Sequence, residues 1–317
     1  MIAAVGLMVG FSSCSNDDET VDNNQPQAVR FSAGIANQAL PAGDPVTKAA
    51  GIDWASGDAI GIFMVNNGTT TIAEGAANKQ FTTIGTNEFT AAAGNEIYYP
   101  MEETDKVDFI AYYPWAASNT LGTAINVEIG TTQTTASQAG FDLLWTKANN
   151  TGTGYDKNTH KNTPVELEFD HKLAKIVMNV KVDASTGIVA NDFNTATVAI
   201  NGMYTKNTFD LATGQLSATP TDKAPITPVK ITTEANFVAS YDAIVMPYSS
   251  YAANEVTVVF TVGGNPYTWT LKAADAVFAP GNEYTYAVTL TKTKVLVEGT
   301  IKPWTTGGND RGSVDAE

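Results

Sequence analysis

The sequence of 317 residues predicts an all-β protein built from two tandem antiparallel β-sandwich domains. Three observations predict this class. Apolar and polar residues alternate with a period of two in almost every segment that is expected to be ordered, as they do in strands with one buried face. Turns rich in Gly, Asn and Asp interrupt these segments often, and no long segment has the helical period. The length also exceeds the usual size of one domain, so two cores are expected.

The clearest strands lie in the last third of the chain. In residues 284–290 the large side chains fall on one face and Thr or Ala on the other, which is typical of a half-buried antiparallel strand. Residues 256–262 and 267–271 alternate in the same way. Between them, Gly263-Gly264-Asn265 tolerates positive φ angles, so this stretch predicts a β-hairpin.

Shorter strands are expected earlier in the chain. Residues 165–169 alternate Val, Leu and Phe with acidic residues, and residues 176–182 continue the alternation. In the first half, residues 60–64 follow a Gly-Asp turn, and residues 109–113 precede a Pro-Trp pair. These runs have the length and composition of strands in a sandwich rather than of helices.

A polar run divides the chain into two halves. Residues 146–163 are rich in Asn, Thr, Gly and Lys and contain almost nothing apolar, as expected of a segment between two cores. The predicted domains are therefore residues 28–160 and residues 161–317. The pattern predicts the number and spacing of strands but not their topology.

The N-terminus reads as an export signal. The apolar run at residues 2–11 is too short to span a bilayer but has the length of a signal-peptide core, and nothing downstream is apolar enough to be a transmembrane helix. Residues 11–14 resemble a bacterial lipobox, so we expect a signal peptide at residues 1–14 that ends in a lipidated Cys14. The lipobox has Phe11 where Leu is usual, and no basic residue precedes Arg30, which predicts a start codon upstream of Met1.

The residues after the cysteine are acidic. Ser15-Asn16-Asp17-Asp18-Glu19 resembles the tag that carries lipoproteins to the outer surface of Bacteroidetes-type bacteria, and residues 15–27 are expected to be a flexible linker. The formal net charge of -15 disfavours nucleic acid and anionic lipid as partners. We therefore expect contact with the membrane only through the N-terminal lipid.

No catalytic residue, metal or cofactor is predicted. The two histidines are His160, in the polar run, and His171, at the end of a predicted strand, and no nucleophile elbow, phosphate loop or zinc helix occurs. Residues 156–160 imitate the start of a calcium loop but lack its Gly and terminal Glu. A pair of carboxylates in a glycosidase-like cleft stays open as an alternative.

Aromatic side chains offer a second kind of site, because exposed rings stack on sugars. Four tryptophans are candidates for such contacts: Trp115, Trp145, Trp269 and Trp304. The strand pattern around Trp269 and the two leucines before Trp145 favour a core position for these two. No aromatic cluster in the sequence identifies a glycan platform.

Six short motifs then occur in order along the chain: VTKA at 46–49, WASGDAIGIF at 54–63, YYP at 112–114, FDHKLAKI at 169–176, FAPGNEY at 278–284 and IKPW at 301–304. Together with the lipobox, they resemble the fimbrillin family of Bacteroidetes type V pili. The resemblance implies two transthyretin-like sandwiches and export as a lipoprotein. It also implies that a trypsin-like protease removes the N-terminal segment with its first strand, and that a strand of a neighbouring subunit fills the groove.

Only two residues fit such a cleavage. Between Cys14 and Asp53 the basic residues are Arg30 and Lys48. The alternation of apolar residues in 28–36 makes this segment the removable strand. A cut after Arg30 would split the strand, whereas a cut after Lys48 would remove it whole. We therefore expect processing at Lys48, with Arg30 as the alternative.

The strand that would fill a neighbour's groove is less clear. Val295, Val297 and Ile301 form an apolar edge that is a candidate donor, but residues 294–301 fit equally well as the last strand of their own domain. The expected function is a stalk or tip subunit of a surface pilus that contributes to adhesion. Its expected partners are other pilus subunits, and a host or bacterial surface ligand. The alternative is a permanently lipid-anchored, glycan-binding lipoprotein of the outer membrane.

Overall fold

The computed structural model describes residues 25–36, 53–102, 104–292 and 294–304. The predicted signal peptide with Cys14, most of the acidic linker and the candidate cleavage residue Lys48 lie outside the described residues. Strands make up nearly all of the regular secondary structure in the described part, so the predicted all-β class is confirmed.

The first half of the chain supplies the strands β1 (Phe31–Ile35), β2 (Ser56–Asn66), β3 (Lys79–Ile84), β4 (Glu88–Ala91), β5 (Val107–Tyr113), β6 (Ile125–Glu128), β7 (Leu144–Ala148) and β8 (Val165–His171). A short α-helix, α1 (Thr135–Ala139), precedes β7, and a 3₁₀ helix (Asn150–Gly152) follows it. Thr134 caps α1 by accepting a hydrogen bond from the Ser137 backbone N–H. No helix among the described residues is long and apolar enough to cross a membrane.

The second half supplies β9 (Ala174–Val182), β10 (Thr197–Asn201), β11 (Tyr204–Asp210), β12 (Gln215–Leu216), β13 (Thr221–Lys223), β14 (Val229–Ile231), β15 (Ala239–Val245), β16 (Thr257–Val262), β17 (Asn265–Thr270), β18 (Asn282–Leu290) and β19 (Val295–Pro303). Two 3₁₀ helices (Ala184–Thr186 and Ala190–Asn194) follow β9. The predicted hairpin is present, because β16 and β17 pair across Gly263 and Gly264, both of which have positive φ angles.

Seven strands of the first half form a closed barrel in the order β1-β4-β3-β2-β5-β7-β8. Parallel pairing of β8 with β1 closes it. In β8 the alternate residues that the sequence placed on one face, Val165, Leu167 and Phe169, are buried, and the acidic residues between them are exposed. The period-two pattern therefore determines which face of this strand packs inward.

The remaining strands form three further sheets. A five-stranded sheet has the order β14-β15-β9-β18-β19, a three-stranded sheet the order β10-β16-β17, and β11 pairs with β12, β13 and β6. Side chains of different sheets meet in one core, as when Trp269 of β17 packs edge-on against Tyr286 of β18 with ring centroids 4.7 Å apart. This second core is separate from that of the barrel.

Strand β5 joins the two cores. All seven of its residues are buried. Phe109 and Ala111 face the barrel core, whereas Ile110 and Tyr112 belong to the second core. A strand that is buried on both faces has a continuous apolar sequence, which explains residues 109–113.

Two strand pairs differ from the predicted antiparallel arrangement. β1 pairs parallel with β8, and β9 pairs parallel with β18. Parallel neighbours need long connections, and the residue pattern of a single strand carries no information about the direction of its partner. The sequence therefore had no signal for these two pairs.

The strands around the expected domain boundary show how closely the halves are joined. β8 follows residue 160 in the chain but pairs within the barrel, and β6 precedes residue 160 but pairs with β11 of the second half. Only Lys172 and Leu173 separate β8 from β9, which is central in the five-stranded sheet. The division of the chain at residue 160 stays a prediction.

Candidate assembly strands

The predicted removable strand is present as β1, enclosed between two neighbours. Its five residues pair with Val165 to Phe169 of β8, and Phe31 and Ser32 also pair with β4. The Val165 N–H donates to the Arg30 carbonyl over 2.8 Å, and the Ala36 N–H donates to the Phe169 carbonyl over 2.7 Å. Both edges of β1 are therefore engaged.

The inward face of β1 belongs to the barrel core. Val29, Phe31, Ala33 and Ile35 are each exposed by 5% or less, as the alternation predicts. The Phe31 ring packs edge-on against Phe81 and Phe109, with centroids 5.0 and 5.1 Å apart. Loss of β1 together with Val29 would remove these four apolar side chains from the core and leave a groove lined by the residues that they contact.

Trp54 holds β1 from within the barrel. Its indole N–H donates to the Ala33 carbonyl over 2.7 Å, and its ring packs edge-on against Phe89, Tyr113 and Phe169. Trp54 follows Lys48 in the chain, so it would stay with the barrel after a cut there. This contact was not apparent from the sequence, although Trp54 begins one of the motifs shared with the family.

Arg30 lies where the chain enters β1. Its side chain is exposed, and its guanidinium donates to the Asn162 carbonyl. Its own carbonyl accepts from Val165, and the next residue, Phe31, is 3% exposed. The backbone on the two sides of the bond between Arg30 and Phe31 is therefore paired or buried. Lys48 lies outside the described residues.

The donor candidates lie in β19, at the edge of the five-stranded sheet. β19 pairs with β18 over its whole length. Val297 is 6% exposed and packs into the second core, Val295 is half-buried, and Ile301 is 58% exposed. The structure thus places these residues in the last strand of their own sheet, which is one of the two alternatives from the sequence. Whether they also act in a neighbour stays a prediction.

The two histidines lie in different surroundings. His160 packs against Tyr155 in the loop before β8, with ring centroids 4.7 Å apart. His171 is buried, and its Nδ1 lies 3.0 Å from the Asp142 carboxylate. Within the described residues, no group of three or more His, Cys, Asp and Glu side chains is arranged to hold a metal.

Asp156, the first residue of the calcium-like segment, already has partners. Its buried carboxylate forms an ion pair with the Lys106 ammonium and accepts the backbone N–H groups of Asn158 and Thr159, both over 2.9 Å. Burial alone would raise the pKa of Asp156, but these bonds and the Thr159 hydroxyl hold it well below its usual range. The carboxylate therefore connects Asn158 and Thr159 of this loop to Lys106.

Replacing Asp156 by Asn is expected to destabilise the protein at pH 7 by about 2 kcal/mol, because Lys106 is partly exposed and water weakens the lost pair. The folded-state pKa is lowered, so the contribution is present above about pH 4 and declines as the pH falls further. Urea unfolding at pH 7 and pH 3 should show a smaller difference at pH 3. Asp170→Asn, at an exposed ion pair, is the control and should change little. An equal difference at both pH values would contradict this account.

The tryptophans do not form an open platform in the described part of the chain. Trp269 and Trp304 are buried, and Trp115 and Trp145 are half-buried. The Trp145 indole N–H donates to the Leu211 carbonyl over 2.8 Å, and Lys172 lies over its ring. These rings are occupied by protein contacts.

Fold and site together define an all-β protein with two packed cores, whose first strand is enclosed in a barrel by a strand that lies more than a hundred residues later in the chain. The sequence profile described as fimbrillin-like matches residues 47–304. The chain belongs to the fimbrillin-like family.

Its relatives agree with this assignment. The chain is 31% identical over 325 residues to a Bacteroides uniformis protein named as fimbrium subunit Fim1C, covering 99% of this chain and 98% of the relative. A crystal structure described as a cell adhesion protein from Bacteroides uniformis is 27% identical and has a TM-score of 0.66, covering 88% of this chain and 98% of that one. Another, from Bacteroides ovatus, is 20% identical with a TM-score of 0.66 over 90% and 100% of the two chains, and shows the shared fold.

Proposed function

We propose that this protein is a subunit of a surface pilus, assembled by exchange of strands between subunits, and that it contributes to cell adhesion. The observation that carries the proposal is the enclosure of β1, which lies at the N-terminal side of the described chain yet fills a groove between β4 and β8. The relative named as a fimbrium subunit and the structure described as a cell adhesion protein support this function.

A groove left empty by the loss of β1 would be higher in free energy than a groove filled by a strand from another subunit. Burying Val29, Phe31 and Ile35 contributes on the order of 5 kcal/mol, because each large apolar side chain contributes about 1.5–3 kcal/mol. Removal of β1 would expose this surface together with the unpaired edge of β8. A strand of similar pattern from a second subunit would restore both kinds of contact.

The cleavage site we propose is Lys48. The family profile matches from Thr47 onward, so the matched part contains nearly everything that would remain after this cut, while β1 precedes it. The pairing of Arg30 with β8 also favours Lys48 over Arg30 as the residue that a trypsin-like protease recognises. The apolar edge of Val295, Val297 and Ile301 is the proposed donor.

Delivery to the surface completes the proposal. We infer that residues 1–14 are a signal peptide, that Cys14 is lipidated, and that residues 15–27 are a flexible linker that carries the export tag. The lipid would hold the precursor in the outer membrane until cleavage, and the processed protein would belong to the fimbrium. We propose two transthyretin-like sandwich domains, residues 28–160 and 161–317, with β8 of the second contributing to the barrel and β6 of the first pairing with β11.

The two alternatives, a glycan-binding lipoprotein and an enzyme, have less support than a pilus subunit. A glycan-binding lipoprotein would need accessible aromatic rings, and the four candidate tryptophans are buried or half-buried by protein contacts. We therefore also propose no enzymatic role, in line with a family whose relatives are named for fimbriae and adhesion.

Electron microscopy of the full chain after limited trypsin treatment tests the proposal. Mass spectrometry should show loss of the residues up to Lys48 with the remainder intact, and the cleaved protein should form filaments. The untreated protein is the control and should stay monomeric. Monomers that persist after verified cleavage would contradict self-assembly by this chain.

A further inference from the structure

A buried contact joins the end of the last described strand to the barrel. The indole of Trp304, directly after β19, stacks on the imidazole of His171, the last residue of β8, with ring centroids 3.9 Å apart and planes 11° from parallel. Trp304 is 4% exposed, and His171 is also 4% exposed. The Asp142 carboxylate, which is fully buried, lies 3.0 Å from His171 Nδ1 and fixes the orientation of the ring.

Backbone bonds hold Trp304 at the same place. Its N–H donates to the Gly281 carbonyl over 2.6 Å, and the Gly281 N–H donates to the Leu173 carbonyl over 2.8 Å. Gly281 has a φ of +70°, and a Cβ there would lie 3.1 Å from the His171 carbonyl oxygen. The chain end, the turn before β18 and the junction of β8 with β9 thus meet around His171.

The strand that carries His171 depends strongly on β1. Five residues of β8 pair with β1, whereas only His171 and Asp170 pair with β7. The last bond to the β1 segment, from the Ala36 N–H to the Phe169 carbonyl, lies two residues before His171. Without β1, therefore, β8 would keep only the two barrel pairs at its C-terminal end, and those two include His171 itself.

We propose that His171, Asp142 and Trp304 form a clasp that keeps the end of β19 closed while β1 is in place, and that loss of β1 loosens it. The clasp couples the strand that is removed to the strand that carries the donor candidates. The biological role of the clasp rests on the proposed function, whereas the contacts that form it do not. A precursor with both strands held would be unable to start assembly before cleavage.

Hydrogen–deuterium exchange of the full chain tests the closing contact. Trp304→Leu keeps an apolar side chain but removes the stacking, and it should raise exchange in β19 about tenfold while β2 and β3 stay unchanged, since local opening is independent of global unfolding. Trp115→Leu, at a half-buried tryptophan bonded to Asn78, is the matched control and should leave β19 unchanged. Unchanged β19 exchange in Trp304→Leu would overturn the clasp.

The coupling to β1 needs a second variant. Phe31→Ala weakens β1 and should raise exchange in β8 and β19 together. If Phe31→Ala does not fold, Ile35→Ala serves, because Ile35 pairs with Phe169 near the clasp. Faster exchange in β8 with unchanged β19 would refute the coupling.

The outcome separates this inference from the proposed function. If exchange in β1 and β19 is coupled but the cleaved protein forms no filaments, the clasp is supported and self-assembly is rejected. If the cleaved protein forms filaments but β1 and β19 open independently, the clasp is rejected and self-assembly is supported.

Discussion

Replacing Lys48 by Gln is expected to keep the trypsin-treated protein monomeric. Lys48 and Arg30 are the only basic residues between Cys14 and Asp53, and the Arg30 carbonyl is bonded to Val165 of β8. Without a basic residue at position 48, β1 stays attached and continues to fill its groove. Electron microscopy and size-exclusion chromatography after limited digestion should show monomers, whereas the unsubstituted protein is expected to form filaments.

Arg30→Gln is the matched control for this experiment. It removes the other basic residue and its bond to Asn162 but leaves Lys48 in place. This variant should be cleaved and should polymerise like the unsubstituted protein. Filaments from Lys48→Gln, or their loss in Arg30→Gln, would show that the cut lies elsewhere or that cleavage does not control assembly.

Replacing Trp54 by Ala is expected to lower the free energy of unfolding by about 3–5 kcal/mol, the usual cost of removing a large buried aromatic side chain. Trp54 is 6% exposed and packs against Phe89, Tyr113 and Phe169. The substitution also leaves the Ala33 carbonyl of β1 without its bond to the indole. Urea denaturation should show the loss, and exchange in β1 should rise more than in β18.

Trp54→Phe separates packing from the hydrogen bond. It keeps most of the ring contacts but loses the hydrogen bond to the Ala33 carbonyl. The lost bond should lower the free energy of unfolding by about 1 kcal/mol, in addition to the loss caused by the smaller ring. Trp115→Ala, at a half-buried position, should cost less than Trp54→Ala. Equal costs for Trp54→Ala and Trp115→Ala would contradict the role of Trp54 as the residue that retains β1.

The candidate site was only partly visible in the sequence. The alternation from Val29 to Ile35 predicted a strand with one buried face, and the structure has that strand. The hydrogen bonds of Arg30 were not predictable, because their partners, Val165 and Asn162, lie more than 130 residues later. The stacking of Trp304 on His171 was missed for the same reason, since no local pattern connects the two rings.

The sequence by itself determined the all-β class, the hairpin at Gly263 and Gly264, and the buried face of strands such as β8. These features depend on side-chain alternation and turn residues, which act over a few neighbouring positions. Only the tertiary structure decided that β1 closes a barrel against β8, that β5 is buried by two cores, and that β19 ends on the barrel. A strand's pattern shows which of its faces is buried, but its partner is chosen by contacts between distant parts of the chain.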